Sequence, residues 1–267
     1  MQSYQIIYNR GGRFIFVILT IRMDIHLIEK FVQDLRKEGF LERYTIDDNM
    51  ASIYLQQYVL FVYLGSSPRW ENDSQIKAIH LDIDMLNTAY DKVFNRIRGL
   101  CGVGERVYAR NTVVARIDKR IALDFLVEHH LNAPLAGKYR YGLFYQGELV
   151  SVAVFSGGRV MSDISMDHRS FELLRFCHKA EYLVVGGISK LIKAFVKDFR
   201  PNDIMTYADR DWSQHSSLES IGFKATGMTG QQTFYVKDGK RLAPHTEGHG
   251  YDYEIKNKGS IKLKLYL

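Results

Sequence analysis

Two groups of residues in the second half of the sequence have the types and spacing for chemistry. The first holds carboxylates beside apolar runs: Glu172 in Phe171-Glu172-Leu173-Leu174-Arg175-Phe176-Cys177, and Asp209 in Thr206-Tyr207-Ala208-Asp209-Arg210-Asp211-Trp212. A carboxylate near a strand end is placed to serve as a general base, because sites in α/β sheets collect at strand ends. Asp209 fits that role and equally fits a cap of the turn after it. Glu172 is either a second candidate base or the partner of Arg175 in a structural ion pair. The second group is Leu183-Val184-Val185-Gly186-Gly187-Ile188-Ser189-Lys190-Leu191, an apolar strand end running through two glycines into a helix. Glycine lets the backbone approach a ligand, and the first helical N–H groups are free to hold an anion. Ser189 and Lys190 add donors. The stretch Val185, Gly186, Gly187, Ile188, Ser189 and Lys190 is therefore a candidate anion cradle; the plain alternative is a tight turn.

The elements that must position these groups follow from periodicity. Residues 107–117 read as a strand, and Asp118 caps a helix that runs through Leu131. Tyr141–Tyr145 and Leu149–Phe155 flank Gln146-Gly147-Glu148 and predict a β-hairpin. Residues 171–177 and 182–185 read as strands, Ile188–Phe199 as a helix, 204–208 as a strand, 216–221 as a short helix and 233–236 as the last strand. A tail from Tyr251 alternates like a hairpin about Asn257-Lys258-Gly259. In the first half, Phe14–Ile21 predicts a buried strand and Asp24 opens a helix that ends at Gly39. Residues 52–64 hold one or two strands, 76–83 another strand, and 84–99 a helix. The domains expected are a small α/β unit over 23–103, a larger unit over 104–240 and a C-terminal hairpin tail over 241–267. Residues 1–22 form that first strand or, if Met23 is the start, an N-terminal extension.

Composition sets the outer limits. With 46% hydrophobic and 25% charged residues and only four prolines, the chain has the means for a packed core and is not a disordered or collagen-like one. The net charge of +6 favours polyanionic partners, nucleic acid or the phosphates of a cofactor, against the plainer reading of a basic surface. Two cysteines, Cys101 and Cys177, are too few for a disulfide scaffold. They imply reduced thiols and an intracellular, cytoplasmic protein. No metal-ligand spacing accompanies them, and His129-His130 on a helix share no face, so no metal is expected. Phe14–Ile21 is too short to span a membrane. The oligomeric state stays open.

The order of elements around the Gly-Gly turn, together with Ile221-Gly222-Phe223, resembles the GNAT N-acyltransferases over residues 107 to about 237. That resemblance implies a mixed sheet flanked by helices, with the pyrophosphate of acetyl-coenzyme A or another acyl-coenzyme A on the turn. Gly187 and Ser189 match the family's small positions. Val184 stands where the family has Arg or Gln, and Leu218 where many members place a tyrosine general acid. The segments 171–177, 183–191 and 207–213 are also similar to the Mom-like C-terminal region of phage and mobile-element proteins. This likeness implies that Glu172, Arg175, Ser189, Tyr207 and Asp209 line a site that acts on a nucleobase amine, with DNA as the partner.

The first half resembles the very-short-patch-repair endonucleases in Ile53-Tyr54-Leu55, Val59–Gly65 and Ile79-His80-Leu81-Asp82-Ile83-Asp84. Its two central strands carry no carboxylate, and metal-dependent cleavage needs several. The resemblance therefore implies a degenerate nuclease. Asp82 and Asp84 are expected to be solvated or to cap the next helix, and Lys92, Arg96, Arg98, Arg106 and Arg110 offer phosphate contacts. These resemblances imply a GNAT-like acyltransferase acting on a nucleobase amine, the same chemistry on a small amine or peptide, or a non-catalytic DNA-binding protein of phage or mobile-element origin.

Overall fold

The computed structural model describes residues 13–47, 49–70, 77–212, 217–242 and 250–267, with side chains from residue 24 onward. It is a mixed α/β structure with a large mixed sheet flanked by helices, preceded by a smaller α/β unit.

The smaller unit comprises α1 (Arg13–Lys37), β1 (Leu41–Ile46), β2 (Met50–Leu55), β3 (Tyr58–Tyr63), β4 (Lys77–Asp82) and α2 (Ile83–Leu100). Its sheet runs β1-β2-β3-β4, with only the β3–β4 pair parallel. A parallel pair needs a crossover of about a dozen residues, and the segment between Tyr63 and Lys77 supplies it. Ile28, Phe31, Val32 and Leu35 of α1 pack with Leu86, Val93 and Ile97 of α2 over Ile53, Leu60, Ile79 and Leu81. Two expectations fail here. Residues 14–21 are helical, not a strand, and Asp24 lies inside that helix, buried and not a cap. The three- and four-residue spacing from Ile25 onward simply continues backwards through an apolar run that also suits a helix. Residues 1–12 of the expected extension lie outside the described residues.

The larger unit continues with β5 (Glu105–Tyr108), a 3-10 turn (Ala109–Asn111), β6 (Val113–Arg116), α3 (Lys119–His129), β7 (Tyr139–Tyr145), β8 (Glu148–Phe155), β9 (Arg159–Val160), β10 (Arg169–His178), β11 (Tyr182–Val185) and α4 (Gly187–Phe199). Then come β12 (Asp203–Asp209), a 3-10 turn (Glu219–Ile221), β13 (Lys224–Met228), β14 (Thr233–Lys237), β15 (Lys240–Arg241), β16 (Tyr253–Lys256) and β17 (Ser260–Tyr266). The main sheet runs β13-β17-β12-β10-β8-β7-β6, with β9 beside β10. The β7–β8 hairpin turns at Gln146 and Gly147, both at positive φ (51° and 86°), as a two-residue type I′ turn requires. Side chains alternate across β8. Ala153 and Phe155 meet Leu191 and Phe195 of α4, while Val152 and Val154 meet Ala122, Phe125 and Leu126 of α3.

The structure corrects three further expectations. The strand read over 107–117 is two strands in different sheets, β5 and β6, split by the 3-10 turn. The helix expected over 216–221 is one 3-10 turn from Glu219, and residues 213–216 lie outside the described residues. The tail over 241–267 is not a hairpin. β16 pairs with β14, whereas β17 enters the main sheet between β12 and β13. The last strand of that sheet is therefore β17, and residues 233–236 belong to a separate three-stranded sheet. Alternation marks a strand but not its partner, which only the completed sheet decides.

Asp82 and Asp84 are neither solvated nor side-chain caps. Arg69 holds Asp82 through two bonds of 2.6 and 2.7 Å and Asp211 at 2.9 Å, while Arg241 holds Asp82 at 2.8 Å and Asp84 at 2.7 Å. Burial alone would lower the pKa of Arg69, but the facing carboxylates of Asp82 and Asp211 more than offset it and raise it. Burial pushes both Asp84 and Asp211 up. The backbone N–H of His80 donates to the Asp211 carbonyl at 2.8 Å, so the edge of β4 meets the segment after β12. Removing one member of such a network leaves its partners charged and dry, at a cost of about 3–5 kcal/mol. Arg69→Gln should therefore lose about that much in urea unfolding at pH 7, and a loss below about 1 kcal/mol would show that the network does not hold the two units together.

Candidate active site

The parallel neighbours β10 and β12 pair over only three positions, Ser170–Asp203, Phe171–Ile204 and Glu172–Met205. Their common base is fixed around fully buried Asp203. Its carboxylate takes bonds from the Ser170 hydroxyl (2.5 Å) and lies 2.6 Å from His168 Nε2 and 3.2 Å from Lys264 Nζ. The last link is the Thr206 hydroxyl donating to the Leu173 carbonyl at 2.8 Å. β10 then changes register against β8 between Leu173 and Arg175. A bulge of this kind bends its strand. From here β10 follows β8 and β12 follows β17, so the two neighbours part and leave a crevice at the middle of the sheet.

All four expected catalytic residues face the same side of that opening. Phe171, Leu173 and Phe176 of β10, with Ile204 and Ala208 of β12, pack on the α4 side. Alternation along each strand sends Glu172, Tyr207 and Asp209 to the opposite, α3 side. Arg175 and Cys177 lie opposite Val154 and Val152, both in the α3 core, and so share that side. Arg175 donates to the carbonyls of Ala133 (3.0 Å) and Leu174 (2.7 Å). Burial lowers its pKa, and the charge of Glu172 opposes that shift. The backbone N–H of Asp211 donates to Asp209 Oδ1 at 2.9 Å. Desolvation nonetheless raises the Asp209 carboxyl above its ordinary range, against the pull of Arg96, Arg241 and Arg69. Tyr207 is exposed.

Helix α2 of the smaller unit completes the crevice. The Arg96 guanidinium stacks 4.5 Å over the ring of Trp212 and lies within electrostatic reach of Asp209 and Cys177. Its side chain keeps accessible surface, yet desolvation pulls its pKa down. Lys92, one helical turn earlier, donates to the His130 carbonyl at 3.3 Å. Burial holds the His130 imidazole at about 4 and the Cys177 thiol at about 12, so both are neutral near pH 7. The sequence offered Arg96 and Lys92 only as members of a basic set. It singled out neither Cys177 nor His130 as a site residue.

The Gly-Gly turn lies on the other side of the sheet, at the start of α4. Gly186 has φ 76° and a Cβ would be strained there, as a left-handed cap requires. A Cβ on Gly187 would come within 3.0 Å of both His178 and Val184 side chains, so this glycine serves packing. The first intrahelical bond is donated by Lys190 to the Gly186 carbonyl, which leaves the N–H groups of Gly187, Ile188 and Ser189 ahead of it. The Lys190 side chain is not available as expected. Its Nζ donates to the carbonyls of Ala109 (2.8 Å) and Thr112, because β5 runs parallel to β11 and carries the 3-10 turn over the start of α4. Val185 is exposed. This backbone suits a pyrophosphate held by N–H groups; it supplies no side-chain cation of its own from Lys190 or from Val184.

No family model matches the chain, and no curated protein matches it in sequence. Solved structures similar to it in fold include a GNAT family acetyltransferase from Elizabethkingia anophelis with acetyl-CoA bound, at 13% identity and TM-score 0.35 over 59% of this chain and 99% of that one. An IAA acetyltransferase from Bacillus cereus matches at 14% and TM-score 0.32 over 58% and 99%. A Bacillus subtilis acetyltransferase in complex with CoA matches at 15% and TM-score 0.34, again over 58% and 99%. At these values the likeness carries nothing about substrate or activity. Among the described residues no group of three or more His, Cys, Asp or Glu could hold a metal ion, and no helix is long and apolar enough to cross a membrane.

The two possible roles of Lys190 separate cleanly. As a brace of the 3-10 turn, its replacement in Lys190→Met leaves two carbonyls short of a donor and should cost about 1–3 kcal/mol of stability without any ligand present. An unchanged melting temperature would return Lys190 to the set of free phosphate donors.

Proposed function

We propose that the protein is a GNAT-like N-acyltransferase that moves an acyl group from a coenzyme A thioester to an amine. The observation that carries this reading is the arrangement around the parted strands: Glu172, Arg175, Tyr207 and Asp209 on one side, and a left-handed glycine cap with free helical N–H groups on the other. The N–H groups of Gly187, Ile188 and Ser189 would hold the pyrophosphate, favoured by the helix dipole. When bound, acyl-coenzyme A supplies an activated thioester carbonyl. Asp209 takes the proton from the attacking amine, and its raised pKa makes it the stronger base for that step. Leu218 stands in the usual tyrosine position and packs partly buried against the core, so the proton for the departing sulfur falls to Tyr207, exposed on the same face as Asp209. Glu172 and Arg175 position the acceptor. The acceptor amine is proposed to belong to a nucleobase in DNA, on the strength of the Mom-like motifs and the net charge of +6.

A competing reading, a non-catalytic DNA-binding protein whose first unit is a degenerate nuclease, draws support from Val184, Leu218 and the engaged Lys190. Asp82 and Asp84 also fit it, since both are committed to arginines and offer little to a metal.

Melting in a titration of acetyl-coenzyme A tests the cofactor. A hundredfold excess over Kd adds about 2.7 kcal/mol to the folded state, and plain adenine nucleotides should not reproduce that rise. No rise at millimolar ligand would favour the second reading. For the base, Asp209→Asn should cut transfer by about 10²- to 10⁴-fold while folding is kept. The wild-type rate should increase with pH through a carboxyl pKa above the ordinary aspartate value, because only the deprotonated form accepts the proton. Equal activity in the variant would remove Asp209 from the mechanism.

A further inference from the structure

The crevice on the α3 side gathers three basic side chains besides the carboxylates of the proposed transfer. Lys92 and Arg96 come from α2 and Arg175 from β10, against the carboxylates of Glu172 and Asp209. The hydrogen-bond partners of Lys92 and Arg175 are carbonyls, which leave their charge uncancelled. Arg96 differs from both. Among the described residues it makes no hydrogen bond or ion pair, and its guanidinium rests on Trp212 with its N–H edge unspent. A planar donor fixed by stacking and without an acceptor among the described residues is preorganised for a bidentate oxyanion. This is not the anion of the Gly-Gly turn, because Arg96 neighbours Cys177 on the α3 face while His178, the next residue of β10, abuts Gly187 on the other. Lys92 also lines a cavity of about 380 Å³ together with Asn95, Glu128, His129 and Glu181. That volume suits a small molecule or a segment of a larger one.

We infer that Arg96 anchors an oxyanion, a phosphate or a carboxylate, carried by the acceptor, so that the smaller unit supplies the specificity of the site. This rests on the acyl-transfer reading for the word acceptor; the anion site itself does not. It makes the substrate an amine that also bears a compact anionic group, and it gives α2 a direct part in recognition.

The test uses the full chain with Trp70→Phe, which leaves Trp212 as the single tryptophan. Its fluorescence is followed during titration with inorganic phosphate and, separately, with malonate, with potassium chloride at matched ionic strength as the control. A saturable change with either anion, weakened about tenfold or more by Arg96→Gln and partly restored by Arg96→Lys, is the expected result. The more effective anion tells phosphate from carboxylate acceptors. No saturable change, or the same change in Arg96→Gln, overturns the inference. Because Arg96 has no hydrogen-bonded partner among the described residues, the variant should keep the parent's melting temperature, which is measured alongside. Coenzyme A melting shifts are recorded on the same samples. A coenzyme effect without an Arg96-dependent anion effect sinks only this inference, and the converse sinks only the acyl-transfer reading.

Discussion

A buried arginine and a half-buried one, set among three buried carboxylates, tie the end of β12 to the first unit of the protein. Arg69 reaches from the segment after β3 to Asp211, two residues beyond Asp209, and Arg241 reaches from β15 back to Asp82 and Asp84. Ion pairs this dry gain little net energy over apolar packing, but they are costly to break, since each partner would be left charged without water. Their consequence is geometric. They fix where β12 ends, and therefore where Asp209 points and how Trp212 lies beneath Arg96. The site depends on that constraint more than on any single catalytic group.

The same constraint commits the carboxylates at the junction of β4 and α2. Asp82 ends β4 and Asp84 opens α2, a place where a metal-dependent enzyme would keep carboxylates free. Here two guanidinium groups occupy them. The first unit is thereby welded to the second, and α2 becomes one wall of the crevice. A pair expected to be solvated or to cap a helix is instead a mechanical joint, and it sets α2 where Arg96 meets Trp212.

The crevice itself comes from backbone events. β10 and β12 are held together at one end by Asp203 and its three partners, and the change of register at Leu174 directs the rest of β10 away. Strand pairing that stops after three residues leaves backbone edges without partners, a state that a sheet keeps only where something else is to bind or where side chains cover it. Arg175 covers part of it by donating to the Leu174 carbonyl.

Much of this was legible in the residues. Alternation and the Gln146-Gly147 turn gave the β7–β8 hairpin, the Gly-Gly pair gave the junction of β11 and α4, and the three- and four-residue spacing gave α2 and most of α1, because these signals are local and set by backbone sterics and amphipathic burial. Glu172 and Asp209 could be singled out as carboxylates near strand ends. That they share a face with Arg175 and Tyr207 depends on a one-residue bulge at Leu174, and a bulge flips every later side chain without leaving a mark in composition. The partner of β17, the capture of Lys190 by Ala109 and Thr112, and the placing of Arg96 over Trp212 join residues from 51 to 116 positions apart. Sequence fixes each such side chain's chemistry; only the closed tertiary structure decides which charge is spent on a neighbour and which is left to meet a ligand.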